Sequence, residues 1–288
     1  MAKILIGVPT YNRRHELKKT LESIKNQTFS DYRVVISDNC STDGTREYLE
    51  SFCATNNDFR YVVQPKNIGW KENFNYLLSH ACDYEYFAWL ASDDIWSESY
   101  LEDCVYVLDR NKNIGVVQAT VRIIKMLDND HSRLIRKDVF RLVNYLPRML
   151  QLPLIFSRGY NVYIMGVFRS NLLTRAFRHF PNVPSADRYF LLQILCLGYS
   201  LATVKTSSYV RLKHSKLAPD RYPDDLYLQN VAISSKKIFD FESFSAIRSM
   251  LISCGCSPLF KSIALSLFYF SRFYIGFRKL IKLAISTK

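Results

Sequence analysis

Four times in roughly its first hundred residues the chain passes from a short apolar run to a segment with helical spacing. That alternation restricts the fold more than any other feature of the sequence. Ile4 to Val8 is uninterruptedly apolar, the composition of a strand covered on both faces. Pro9-Thr10-Tyr11-Asn12 breaks the run, with Asn12 placed to cap a helix whose Leu17, Leu21 and Ile24 share one side. Tyr32 to Ser37 supplies a second strand, and after the Asn39–Gly44 turn Thr45 is placed to cap a helix containing Tyr48 and Leu49. Phe59 to Val63 reads as a third strand and Asn67-Ile68-Gly69 as a turn. A helix carrying Phe74, Leu77 and Leu78 then leads to a fourth strand, Tyr86 to Leu90. Strands separated by helices pair in parallel, so the expectation is an α/β fold: a mostly parallel, Rossmann-like sheet covered by helices on both faces.

Further on, the pattern predicts a helix over 97–109, packed through Leu101, Val105 and Leu108, and a strand from Gly115 to Ile124. Residues 125–160 are basic and irregular and read as a mobile or partly helical excursion over the active face. A strand near 161–167 and a helix near 187–197 return to the core. Hydrophobic residues make up 48% of the 288 and charged ones 23%, a globular composition. The expected organisation is a main domain over 1–220, in two halves (1–125 and 126–220), then a helical extension over 221–288.

In an open parallel sheet, ligands bind beyond the C-terminal ends of the strands. Two such ends here are acidic: Asp38 after the second strand, and Ser92-Asp93-Asp94 after the fourth. Paired acidic ends suit a ligand that brings its own cation, such as a nucleotide diphosphate chelating Mg²⁺ or Mn²⁺. Asp38 can accept from a pyrimidine ring or a ribose; equally, it can tie up the amides of its own turn. Pro9, Thr10, Tyr11 and Arg13 border the same crevice and can surround a base or diphosphate. A sharp turn can bring one of Asp93 and Asp94 to the metal, which would act as a Lewis acid on the departing diphosphate. Helix capping is the plainer role for that pair.

These strings have a family likeness. Val8-Pro-Thr-Tyr-Asn-Arg13, Ser37-Asp-Asn-Cys-Ser-Thr-Asp-Gly-Thr45, Asn67-Ile-Gly69 and Ser92-Asp-Asp94 resemble the family 2 glycosyltransferases of GT-A fold, nearest to bacterial abequosyl- and rhamnosyl-type enzymes of surface polysaccharide synthesis. The resemblance implies a UDP-, dTDP-, CDP- or GDP-linked sugar donor, a divalent cation, and inversion at the anomeric carbon. It places Asp38 at the base, Asp93 at the donor and Asp94 at the metal. The fuller metal motif carries an acid where this chain has Ala91. It also points to Asp187, in Pro184-Ser-Ala-Asp-Arg-Tyr-Phe190, as the base that deprotonates the acceptor; capping the helix that follows is the alternative. Asn161 and Arg169 fall in the segment beneath the acceptor, and His214 is placed to close over the diphosphate or to complete the metal shell, a plain surface histidine being the alternative. Lipid-linked or surface-glycan acceptors complete the implied chemistry.

Lys and Arg exceed Asp and Glu by 39 to 26, favouring an anionic partner. Residues 257–288 hold six of the cations (Lys261, Arg272, Arg278, Lys279, Lys282 and Lys288), no acid, and many aromatic and aliphatic residues. That mixture suits an amphipathic helix on an anionic membrane surface; packing against the catalytic domain is the alternative. Seven cysteines without a CxxC pair suit free thiols in a reducing cytoplasm. The expected location is therefore cytoplasmic, peripheral at the inner face of the membrane. Two other classes fit less well. A metal-dependent nucleotidyltransferase needs a glycine-rich basic loop after the first strand, which Pro9–Arg13 is not. A nucleic-acid binder would show a recognition module, and none is present, so no nucleic-acid partner is expected.

Overall fold

A computed structural model describes residues 2–126, 132–138, 141–155, 160–176 and 186–213, together with the single helical positions Ser262 and Ser266. The opening half follows the sequence closely. Strands β1 (Ile4–Thr10), β2 (Tyr32–Asp38), β3 (Phe59–Val63) and β4 (Tyr86–Trp89) alternate with helices α1 (Arg14–Lys25), α2 (Thr45–Ala54) and α3 (Gly69–Ser79). β1 pairs in parallel with β2 and β4, and β2 with β3. Every residue of β1 and β4 is buried, which is why both strands read as continuous apolar runs rather than alternating ones. Leu17, Leu21 and Ile24 of α1 are wholly buried, and α3 packs over β1 and β2 through Leu77 and Leu78. Gly7 makes that approach possible: a Cβ there would sit 3.0 Å from the Leu77 Cβ and 3.2 Å from the Phe87 ring.

After the short strand β5 (Asp94–Trp96) come helix α4 (Tyr100–Arg110) and the long strand β6 (Ile114–Met126). The basic stretch contains strand β7 (Ser132–Asp138), antiparallel to β6, and helix α5 (Arg148–Ile155). A 3-10 turn (Tyr160–Met165) occupies most of the span expected as a strand, and β8 is only Val167–Arg169. Helices α6 (Ser170–Ala176) and α7 (Ala186–Cys196) precede β9 (Ser200–Lys213), a strand the sequence pattern did not reveal. The spatial order is β3-β2-β1-β4-β8-β6-β9-β5, with β7 attached to β6. β8 and β5 run antiparallel to their neighbours, while β6 and β9 keep the parallel direction. Aromatic packing joins the halves: Trp89 of β4 contacts Phe168 of β8 and Phe190 of α7.

Candidate active site

The C-terminal ends of β1, β2 and β4 open on one edge of the sheet, and the loops that leave them are stitched together by side chains. Thr10 stands opposite Asp38 in the β1–β2 register, and the Asn39 N–H donates to the Thr10 carbonyl at 2.9 Å. Asn12 does not cap α1. It adopts φ 49°, its N–H donates to Ser41 Oγ, and its Oδ1 accepts the Thr42 N–H, each at 2.8 Å. Cys40 in the facing loop also has a positive φ, 66°. Two non-glycine residues held left-handed across one crevice mark a backbone whose shape is fixed by tertiary contacts. Thr45 likewise is not the cap of α2. Gly44, at φ 83°, takes the cap position, and Asp43 Oδ1 accepts the Thr45 N–H at 3.1 Å. Asp43 Oδ2 accepts from the Arg14 N–H at 3.0 Å, joining the starts of both helices.

Asp38 is completely buried, and its carboxylate turns back on its own loop. Ser41 donates to it through both its hydroxyl and its N–H, the latter at 3.2 Å from Oδ1. Burial raises its pKa above the usual carboxylate range, and the Ser41 bonds oppose that rise. The turn-stabilising role considered from the sequence is therefore present in the structure. Beside it, the buried Thr10 Oγ1 has no hydrogen-bond partner among the described residues. A buried hydroxyl left this way is a group a ligand can satisfy. The next loop is latched to the same place: Asn39 Nδ2 donates to Asn67 Oδ1 at 2.8 Å and the Ile68 N–H donates to Asn39 Oδ1 at 2.9 Å. This ties the Asn67-Ile68-Gly69 turn to the loop following Asp38.

Asp93 and Asp94 point to different surroundings. Asp93 pairs with Arg13 (Nη1 to Oδ2, 3.0 Å), and its side chain is 26% exposed. This contact joins the β1 loop directly to the acidic pair. Asp94 is buried. The Tyr209 hydroxyl donates to its Oδ2, the Leu212 N–H donates to Oδ1 at 3.2 Å, and Thr20 Oγ1 donates to its backbone carbonyl at 2.9 Å. Burial, reinforced by the neighbouring Asp93 charge, pushes the Asp94 carboxyl up to about 7. The residue expected to meet a metal is thus the clamp between β5 and β9. Of the two carboxylates, Asp93 is the one at the crevice. Among the described residues no group of three His, Cys, Asp or Glu side chains could hold a metal. A cation here would draw most of its ligands from a bound diphosphate and water, as Mg²⁺ sites commonly do.

Arg169 does not reach this edge. It pairs with Tyr86 at the opposite, N-terminal end of β4. There its guanidinium donates to the carbonyls of Leu108, Ile114 (2.9 Å) and Asn111 (3.1 Å), satisfying the end of α4. Its assignment to the acceptor is corrected by that placement. Arg169→Lys is expected to lower stability by about 1–2 kcal/mol, since an ammonium cannot span three carbonyls. Activity per folded molecule should stay unchanged, measured by urea unfolding alongside turnover. Asn161 lies in the 3-10 turn, but its side chain, like His214 and the basic tail, lies outside the described residues.

Asp187 opens α7 and accepts the Arg188 N–H at 2.9 Å. Phe190, one turn on, contacts Trp89 at the top of β4, while Ile194 approaches Gly115 near the start of β6. The helix therefore begins at the edge that carries Asp38 and Asp93. Sequence reasoning missed Tyr209 and Thr20, the supports of the acidic pair. Neither carries a local motif; only their pairing with residues far away in the chain reveals them.

A curled, mostly parallel sheet with this order, and acidic groups gathered at its C-terminal edge, has the GT-A architecture of glycosyltransferases. The chain matches the model for Glycosyl transferase family 2 over residues 5–177, more than half its length, and belongs to that family. Among relatives, the putative teichuronic acid biosynthesis glycosyltransferase TuaG of Bacillus subtilis is 34% identical over 102 residues, covering 35% of this chain and 40% of that protein. Abequosyltransferase RfbV of Salmonella typhimurium is 30% identical over 166 residues, 53% and 47% of the two chains. The chain thus spans less than half the length of these curated relatives. Among solved structures, S. aureus TarS 1–349 in complex with UDP-GlcNAc superposes with a TM-score of 0.68 at 19% identity, over 94% of this chain and 73% of that one. Mannosyltransferase PcManGT from Pyrobaculum calidifontis, in complex with GDP-Man and Mn²⁺, gives 0.56 at 18% identity, over 98% and 81%. At these identities the likeness is one of fold.

Proposed function

We propose that the protein transfers a sugar from a nucleotide-diphosphate donor, with inversion, to a hydroxyl of a lipid-linked or cell-surface glycan. The observation that carries this reading is the Arg13–Asp93 contact. It brings a guanidinium and a carboxylate together between the β1 loop and the acidic turn, where one can meet a diphosphate and the other its counter-cation. Thr10, with its unpartnered hydroxyl, and Asp38 border the base side, and Pro9 and Tyr11 shape the same loop. The relatives' names point to polysaccharide and lipid-carrier chemistry, one of them being a GalNAc(5)-diNAcBac-PP-undecaprenol β-1,3-glucosyltransferase of Campylobacter jejuni. In this reading Asp93, rather than Asp94, would hold Mg²⁺ or Mn²⁺. The bound cation would offset charge on the departing diphosphate. Arg13 orients the same phosphates, and Asp187 takes the acceptor proton as the new C–O bond forms and the bond to the diphosphate breaks.

Inversion follows from that single displacement. The catalytic unit would extend over 1–220, with 221–288 bringing the enzyme to an anionic membrane surface. No helix among the described residues is long and apolar enough to span a bilayer, so attachment through the basic tail would be peripheral. Calorimetric titration with UDP-, dTDP-, CDP- and GDP-sugars, with and without Mn²⁺, tests the core of the proposal. One donor class should bind in a metal-dependent way, and Asp93→Asn should weaken it by at least about tenfold, the loss of roughly one charge-assisted contact. Binding that ignores both metal and Asp93 would sink the assignment.

A further inference from the structure

Val117 of β6 and Ala88 of β4 face the same residue of β8, Val167, so these two parallel strands are level there. β4 stops one residue later, at Trp89, whereas β6 runs on to Met126. From Val121 outward β6 lies between β7 and β9, and the three strands form a ribbon that outruns the edge carrying the candidate site. Two contacts tie the ribbon to that edge. Arg211 of β9 stands opposite Asp94 in the β5–β9 register, and the Leu212 N–H is the donor to Asp94 Oδ1. The rows at Ile124 and Lys125 therefore lie beyond the start of β5, on the side from which Asp93 enters it.

The register makes those rows amphipathic. Ile124 stands between Leu134 of β7 and Leu212 of β9, and residues opposite one another share a face. Leu134 is 53% exposed, and Ile124 and Leu212 are only partly covered. Arg122, two residues before Ile124 and so on the same face, is exposed beside a partly covered Val210. The next row outward sets Lys125 between Arg133 and Lys213, and the next row inward sets Ile123 between Arg136 and Arg211. Like charges opposite one another in a sheet destabilise it. From Val121 outward the strands hold seven cations against one acid, Asp138 in the innermost row. A leucine–isoleucine row open to water between rows of cations is a costly surface for a protein that meets only solvent.

We infer that the outer end of this ribbon is a membrane-contact surface: the Leu134–Ile124–Leu212 row enters the headgroup boundary of an anionic bilayer, and the flanking cations meet lipid phosphates. Apolar insertion combined with Lys and Arg at the surface is how peripheral segments hold anionic membranes. A polyanion in solution would satisfy the cations but leave the leucine row in water, so the bilayer is the occupant. The ribbon is separate in sequence from the basic tail. Its contact would hold the edge that carries Asp93 against the membrane. The use of that placement to a transferase with a lipid-linked acceptor rests on the proposed function; the contact itself does not.

Leu134→Trp in the full chain turns the row into its own reporter. The probe is a vesicle of phosphatidylcholine with about one-third phosphatidylglycerol, brominated in the acyl chains, at ~0.15 M salt, where charges act over about 8 Å. Emission added by Leu134→Trp should fall about twofold on these vesicles and hold steady on phosphatidylcholine alone. The parent, and Tyr106→Trp at a 56% exposed position of α4, should change little. Arg122→Gln with Arg136→Gln should lower vesicle partitioning by about tenfold or more. Lys25→Gln with Lys112→Gln removes the same charge at the opposite edge of the sheet and should lower it by less than about twofold. Vesicle binding that leaves Leu134→Trp unquenched would assign the contact to another surface and overturn the inference. So would equal losses from the two charge pairs, or a full chain that ignores vesicles, including one whose ribbon cations bind a single-stranded oligonucleotide instead. Should Leu134→Trp fail to fold, the charge pairs decide the matter. Metal-dependent nucleotide binding, measured on the same preparations, tells failure of this surface from failure of the transferase reading.

Discussion

Asp187→Asn is expected to slow sugar transfer by about 10²–10⁴-fold while leaving the fold and donor affinity unchanged. The isosteric amide can still accept the Arg188 N–H through its oxygen, so the first turn of α7 keeps its local bond. What it loses is the ability to take a proton from the acceptor hydroxyl. The start of a helix favours a negative charge at this position. Arg188 beside it is buried, and desolvation lowers its pKa while the Asp187 charge works against that fall. Single-turnover rates at saturating donor and acceptor measure the effect without interference from product release. A rate within a few-fold of the parent would place the base elsewhere. Asp187→Ala gives a second check: it should lose the same catalytic factor and a further ~0.3–1 kcal/mol of stability, because the first turn of α7 loses its negative charge.

The parallel half of the fold was legible because its strands are short apolar runs, two of them, β1 and β4, buried on both faces. Ile4–Val8, Tyr32–Ser37 and Tyr86–Leu90 have no polar alternation that could be mistaken for a hairpin, and each is followed by helically spaced apolar residues. Local capping was less legible. Asn12 and Thr45 are good cap residues by type, yet contacts from a neighbouring loop set the backbone of one, and Asp43 with Gly44 serves the other. The acidic edge could be found from strand ends alone, but the orientation of each carboxylate could not. Asp94 turns inward because β9, more than a hundred residues later, brings Tyr209 and the Leu212 N–H to it. Arg169 has the same lesson. A cation near an expected acceptor segment reads as a ligand contact until the strand pairing puts it at the far edge of the sheet. The 3-10 turn at 160–165 replaced an expected strand, although Val162, Tyr163 and Ile164 are all buried there. An apolar run that short does not distinguish the two conformations.

The inward turn of Asp94 has a consequence for pH. In a chelated, metal-free buffer the protein is expected to lose roughly 2–3 kcal/mol of stability between pH 5 and pH 8 through this one group. The folded-state carboxyl is raised to about 7, chiefly by burial and then by the Asp93 charge, while Arg211, Tyr209 and the Leu212 N–H pull it down. In the unfolded chain it titrates near the ordinary carboxylate value, about 4. The folded protein therefore holds this proton across a window in which the unfolded chain has released it. Stability falls as pH rises through that window and levels off above the folded pKa, the reverse of the behaviour of a carboxylate held in a salt bridge. Asp94→Asn removes the titration but keeps the packing. The amide oxygen can accept from Leu212, and its nitrogen can donate to Tyr209 once that hydroxyl rotates. Asp38, also raised by burial, titrates in both proteins, so the difference between parent and variant isolates Asp94. Urea midpoints at pH 5, 6, 7 and 8 should diverge, with the variant gaining on the parent as pH increases. Parallel curves would mean that Asp94 ionises as an ordinary surface carboxylate does, and the clamp between β5 and β9 would need another explanation.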